Sequence, residues 1–286
     1  MAFRIAVLSD PHLRPAVSPR FGELASKRAL GWANWKRRRH LIHDPDTLSA
    51  ITGDLKAQTP DHIVVAGDLT NLALSDEISA ARLWLESLGP ATDVTVIPGN
   101  HDAYVPGALS AVIQSWAPYL TSDDGRIGFP VLRRRGPMLL AGLSSAIASP
   151  PFRATGRVSR AQLDELVSGF AHENGFRLVA IHHPVLMAGH SAKRLLNGGE
   201  VSEALRNAGA DMVVHGHMHT PMHTTLPGNI PMWGVPSASA KPGQGPDPAE
   251  YLTIDVEDTH VVITRRGFVR AGSLSMHATE RMVLRR

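Results

Sequence analysis

The 286-residue chain contains no cysteine. Disulfide frameworks, thiolate metal sites and cysteine nucleophiles are thereby excluded together, and any metal must be held by His, Asp, Glu or Asn. Long apolar runs are missing too, since nothing approaches the roughly 18 residues that a membrane span requires. The N-terminal MAFRIAVLSD has an apolar stretch that stops at Asp10 with no small-residue cleavage site behind it. It reads as a buried strand, not as a secretory signal. These absences lead to the expectation of a cytoplasmic protein, with the inner membrane face as its candidate place of peripheral contact. Strong charge imbalance is also lacking, because 29 Lys and Arg against 26 Asp and Glu leave only +3.

That small total hides an uneven distribution. Arg14, Arg20, Lys27, Arg28, Lys36, Arg37, Arg38 and Arg39 stand against the single acid Glu23 between Arg14 and His43, leaving 21 basic and 25 acidic residues elsewhere. The remainder of the chain is therefore slightly acidic. With 43% hydrophobic and 19% charged positions the whole is an ordinary globular sequence. Residues 1–286 are expected to form a single domain with one inserted, cap-like segment at about 14–46.

Short apolar runs ending in a polar residue recur: FRIAVLSD, HIVVAGD, DVTVIPGNHD, MLLAGLSS, FRLVAIHHP, MVVHGHMH and YLTIDVED. Each is rich in Val, Ile or Leu and bounded by Gly, Pro or Asp, which fits a buried strand better than a helix. Helical spacing is predicted from Ser75 through Leu85 with a stop at Gly89-Pro90, from Ser159 through Phe170, and over Val201–Ala208 before Gly209. Strands alternating with helices argue an α/β fold with sheets buried on both faces. YLTIDVED and HVVITRRGF, joined by a short acidic link, predict a late antiparallel hairpin and hence a mixed sheet system.

Residues able to bind metal stand at the carboxyl end of nearly every predicted strand, where open α/β sheets place their sites. They are Asp10 and His12, then Asp68, then Asn100, His101 and Asp102, then His182 and His183, and finally His217 and His219. Asp10 with His12, and His217 with His219, are spaced i and i+2. In extended backbone that spacing puts both side chains on one face. Each motif alone has a plain structural use as a turn, a helix cap or a strand end. Their conjunction in this order does not. His190 follows the His182 strand in a loop and, with His183, is a candidate substrate contact. His62, His172, His260 and His277 are expected at the surface.

With these motifs the sequence resembles the calcineurin-like metallophosphoesterase superfamily, over about Ile5 to Asp255. The resemblance implies a four-layer sandwich of two mixed β-sheets flanked by helices. It implies that Asp10, His12, Asp68 and His219 hold one metal ion while Asp68, Asn100, His182 and His217 hold a second, with Asp68 bridging. His101 is then the non-ligand histidine facing substrate and Asp102 its orienting partner. Imidazole, carboxylate and amide ligands suit Mn, Fe or Zn, as two divalent ions or an Fe(III)/M(II) pair. The implied chemistry is hydrolysis of a phosphoester by a metal-bridging hydroxide, with His101 stabilising the transition state or protonating the leaving oxygen.

The motif set is most similar to the bacterial branch that acts on cyclic nucleotides and glycerophosphodiesters. That makes a small phosphodiester the leading expected substrate. The alternative is a membrane-surface hydrolase of a lipid-linked phosphate or a UDP-diacylglucosamine-type pyrophosphate. It draws on the segment 14–43, whose Phe21, Trp32 and Trp35 are interleaved with Lys and Arg in the manner of an interfacial element. Members cleaving that pyrophosphate often carry Arg where His101 stands, which counts against it. The same segment suits a cap packed on the core, or contact with nucleic acid. A nuclease or a metal-free scaffold ranks lower, because all seven ligand positions are filled.

Overall fold

A computed structural model describes residues 2–15, 17–171, 174–187, 189, 191–244, 249–270 and 273–285, with side chains as far as Phe268. Two six-stranded mixed sheets face each other. The first runs β12-β11-β10-β1-β2-β3 and the second β4-β5-β6-β7-β9-β8. Their strands are β1 (Phe3–Leu8), β2 (His62–Val65), β3 (Val94–Val96), β4 (Val131–Arg135), β5 (Met138–Leu143) and β6 (Phe176–Ile181). The others are β7 (Met212–His215), β8 (Met222–Leu226), β9 (Ile230–Gly234), β10 (Glu250–Val256), β11 (His260–Arg270) and β12 (Ser273–Arg285).

Alternation along the strands builds the layers. In β1, Ile5 and Val7 enter the core between the sheets with Val64, Leu140, Leu178, Val214 and Ile254. Ala6 and Leu8 point the other way, toward α3 (Pro45–Ala57) and α4 (Ser75–Leu88). On the far side, Leu163, Leu166 and Phe170 of α6 (Arg160–Phe170) and Val201 and Leu205 of α7 (Gly198–Asn207) cover Val179 and Ile181 of β6. Helix, sheet, sheet, helix is the four-layer sandwich expected. The hairpin is also present as β10 and β11, paired antiparallel from Glu250 with Gly267 to Val256 with Val261.

Several elements escaped the sequence reading. α3 carries a start signal, since Asp44 caps it by accepting from Thr47 N and Pro45 sits in its first turn. α5 (Ala108–Trp116), β4, β12 and the β8–β9 hairpin were also unforeseen. The segment after Arg14 is not one amphipathic helix. It consists of a 3-10 turn at Phe21–Leu24, α1 (Arg28–Asn34), a π-helical turn at Trp35–Arg39 and the short α2 (His40–Ile42). α2 ends at Ile42, and His43 and Asp44 run in extended backbone before α3 begins at Pro45.

His62 corrects another expectation. It is fully buried at the start of β2, with Nε2 2.9 Å from Thr95 Oγ1. His260 is half-buried beside Glu257. His172 and the side chain of His277 lie outside the described residues.

Candidate metal centre

The parallel strands β1, β2, β3, β6 and β7 end at one edge, and the loops that follow them converge. Hydrogen bonds between loops lock this convergence, with Asp10 N donating to Gly67 O at 2.9 Å and His12 N to Asp68 O at 3.1 Å. Asp68 Oδ1 accepts from His101 N at 2.7 Å, and Asp10 Oδ2 accepts from His217 N at 3.0 Å. The backbone is not extended at the paired motifs. Asp10, His12, Asp68, His217 and His219 all have positive φ, between 39° and 69°. The i, i+2 pairs therefore converge through left-handed turns, a conformation that costs about 1 to 3 kcal/mol per residue and persists only where its surroundings fix it. Gly216 is required here, because a Cβ on it would collide with the Ser9 hydroxyl and the Asp10 carboxylate.

Each imidazole is oriented by a group behind it. His12 Nδ1 faces Thr70 O at 3.1 Å, His182 Nδ1 faces Ala66 O at 2.7 Å, and His217 Nε2 faces Lys193 O at 3.0 Å. A carbonyl only accepts, so each of these nitrogens carries a hydrogen and the other ring nitrogen is the one turned to the cluster. His12 Nε2 lies 3.3 Å from His219 Nε2, 3.7 Å from Asp10 Oδ1 and 3.8 Å from Asp68 Oδ2. His219 Nε2 is 3.0 Å from Asp10 Oδ1, and His182 Nε2 is 3.3 Å from Asp68 Oδ2. Asp10, His12 and Asp68 form one group with ligand atoms within 4.8 Å of one another, and Asp68, His182 and His217 form a second. Asp68 belongs to both.

The donors fit a pair of metal ions on the structure's own terms. Asn100 Oδ1 is buried without a hydrogen-bond partner, which is costly unless a ligand completes it. Burial opposes charge on His182, yet the Asp68 carboxylate overrides it and pushes the imidazole up to about 10. The negative field that holds a proton there also holds a cation, which displaces that proton on binding. Burial also opposes charge on Asp10, but His219 and His182 keep its carboxyl below the usual range.

Around this cluster lies a cavity of about 370 Å3, lined among others by Arg39, His43, Asn100, His101, Lys193 and His219. His101 Nδ1 is 2.6 Å from Asn71 O, so it carries the hydrogen. Arg39 Nη1 stands 3.1 Å from the same nitrogen, and burial together with this guanidinium pushes His101 down to about 3. Asp102 does not touch the His101 ring, contrary to expectation. Its carboxylate accepts from Leu69 N, Thr70 N, Thr70 Oγ1 and Gly99 N, tying the loop after β2 to the loop after β3. His183 is not open to substrate either. It is fully buried, with Nδ1 2.7 Å from Ser145 Oγ and Nε2 3.2 Å from Ala154 O, and its ring packs 4.3 Å from that of His217. It braces a ligand. His190 lies outside the described residues.

Arg39, His43, Lys193 and Tyr104 escaped the sequence reading. Tyr104 stacks on His101 at 5.4 Å, and Lys27 lies 4.2 Å over its ring. A signal existed for two of them, because Arg39 and His43 are four residues apart, the spacing that aligns side chains on one helical face.

Two facing mixed sheets between helices, with a two-part cluster of His, Asp and Asn at the strand ends, define a dimetal phosphoesterase architecture. The calcineurin-like phosphoesterase model matches residues 3–221, and the chain belongs to that family of metal-dependent phosphoester hydrolases. A probable cyclic nucleotide phosphodiesterase of Synechococcus sp. is 28% identical over 233 residues, covering 76% of this chain and 84% of that protein. Among solved structures, a dimetal phosphatase from Danio rerio aligns over 99% of this chain and 98% of its own at TM-score 0.64 and 15% identity. A purple acid phosphatase from yellow lupin covers 99% of this chain and 53% of its own at TM-score 0.61 and 11% identity. These two likenesses concern the fold.

Proposed function

We propose that the chain hydrolyses a small phosphodiester of the cyclic-nucleotide or glycerophosphodiester kind. The observation carrying this reading is the cavity itself, where Asp68, Asn100, His217 and His219 share one space of about 370 Å3 with His101 and the cations Arg39 and Lys193. The cyanobacterial relative's description supports the substrate class. Asp10, His12, Asp68 and His219 would hold one ion and Asp68, Asn100, His182 and His217 the other, with Mn, Fe or Zn suiting these donors. When bound, such a pair supplies Lewis acidity toward the phosphoester and lowers the pKa of water. Arg39 and Lys193 bind the phosphate charge and orient it. The Nδ1 hydrogen of His101 is held by Asn71 O, so Nε2 is the nitrogen that faces the phosphoester, and it must first take up a proton, against the burial and the Arg39 charge that keep the ring neutral, before it can pass one to the leaving oxygen.

A second reading keeps the same chemistry but places the substrate in a lipid surface. It draws on exposed apolar residues beside the basic ones in the inserted segment, Val17, Phe21, Leu30 and Leu41, of which Phe21 is 96% exposed. Among the described residues no helix is long and apolar enough to cross a membrane.

The test compares manganese-loaded wild type and Asp68→Asn on bis(p-nitrophenyl) phosphate, p-nitrophenyl phosphate, cyclic AMP and a lipid pyrophosphate, with and without anionic vesicles. Preference for the diesters, indifference to vesicles and loss of activity in Asp68→Asn support the first reading. Activity confined to the lipid substrate, or rising steeply with vesicles, replaces it with the second.

A further inference from the structure

The inserted segment reaches the metal cluster with a histidine that lies outside the ligand motifs. His43 follows α2 and precedes the Asp44 cap of α3, and it is buried, 5% exposed. The chain here is clamped against the loop after β9, with Asp44 N donating to Ser239 O at 2.9 Å and Lys241 N donating to Ile42 O at 2.7 Å. The ring stands 4.4 Å from that of His12 and 5.5 Å from that of His219. One ring nitrogen from each of His12, His43 and His219 falls within 4.8 Å of the others.

A hydrogen-bond chain determines which nitrogen of His43 is available. Ser237 Oγ donates to Asp10 O at 2.6 Å, and a carbonyl cannot donate in return. With its hydrogen committed, Ser237 Oγ accepts from Ser239 Oγ at 3.3 Å, and Ser239 Oγ then accepts from His43 Nδ1 at 2.9 Å. Every hydrogen in the chain points toward the Asp10 carbonyl. Nε2 is left bare, as in His12, whose Nδ1 is likewise committed behind it.

We propose that His43 Nε2 is a further ligand for the ion assigned to Asp10, His12, Asp68 and His219, so that the inserted segment is fastened to the active site by the metal. This rests on the metal-site reading above. It raises the protein donors for that ion from four to five, while the ion assigned to Asp68, Asn100, His182 and His217 keeps four. Serines 237 and 239 act as positioning residues through the orientation they impose on the ring.

The test is 15N-histidine NMR of the full chain titrated with zinc, the His43 resonances being assigned by their absence in His43→Gln. Metal retention is measured in parallel by chelator competition. The expected result is that the bare nitrogen of His43 shifts in step with those of His12 and His219. Release of one of the two zinc ions should become at least about tenfold easier in His43→Gln, and easier to a smaller extent in Ser239→Ala. Shifts at His12 and His219 with none at His43 overturn the inference and leave the metal site standing. No zinc-dependent shift at any histidine overturns the site itself. Should His43→Gln not fold, assignment through Ser239→Ala and the wild-type titration still decide.

Discussion

An imidazole offers two nitrogens, and the protein decides for each histidine which one faces the cluster by what it places behind the other. For His12, His182 and His217 that group is a main-chain carbonyl, and for His101 it is Asn71 O. The candidate ligands were legible in the sequence because chemistry restricts them to a few residue types, whereas the tautomers were not, because the carbonyls come from distant loops. Replacing His101 by Asn is expected to lower turnover by roughly 10²- to 10⁴-fold while leaving metal content intact, as turnover assays beside elemental analysis will show. Arg39→Gln removes a charged donor from the cavity, the one assigned to the phosphate in the proposed reaction. Its KM is expected to rise roughly 10- to 100-fold with a smaller change in kcat, the effect of losing a hydrogen bond to a charged group.

The elements around these residues differ in how they are held. α1 is seated by Gly31, where a Cβ would collide with the Tyr104 hydroxyl and with Leu72. Gly31→Ala should therefore push α1 outward and disturb Tyr104, raising KM while the urea midpoint of unfolding stays near wild type. β4 is held differently. Its Arg133, 4% exposed, donates to Ala91 O, Val94 O, Thr95 Oγ1, Pro118 O and Thr121 O, so one side chain satisfies the turns around β3 and the segment after α5. Arg133→Met leaves those acceptors buried and unpaired, with an expected loss of about 3 kcal/mol read as a lower urea midpoint at unchanged m-value. Neither element was readable beforehand. α1 lacks apolar periodicity, and VLRRR looks like a solvated strand until the carbonyls that surround Arg133 are seen.

Across the whole molecule, acid is expected to be the weak direction. Burial is the main reason His62 is pushed down to about 3, with Arg133 nearby adding to it. As pH falls, the unfolded chain takes up this proton first, near 6.5, so the stability His62 contributes is complete above that pH and is lost progressively down to about 3. The full effect is at most roughly 4 to 5 kcal/mol. Asp54 acts in the same sense at lower pH. Burial raises its carboxyl, but Arg266 and Tyr251 outweigh this and hold it below its ordinary 3.8, linking α3 to β10 and β11. Thermal melts should thus show Tm declining once pH drops below about 6.5. His62→Gln should flatten the upper part of that decline, and an unchanged slope in this variant would assign the acid sensitivity to other groups.

The class of fold was determined by the sequence alone, because buried strands need continuous apolar runs, and the sequence also marked the candidate ligands, because without cysteine only His, Asp, Glu and Asn at the ends of those runs offer donors. Tertiary structure decided what depends on approach between distant segments. Asp102 fastens two loops instead of orienting His101, and His183 braces His217 in the interior. His62 is buried in β2 against Thr95 of β3, which also accepts from Arg133 of β4. Arg39 and His43 enter the cavity because a π-helical turn and a short helix fold the inserted segment back over the strand ends. Nothing in a linear motif specifies such contacts, since each is created only when residues more than thirty positions apart are packed together.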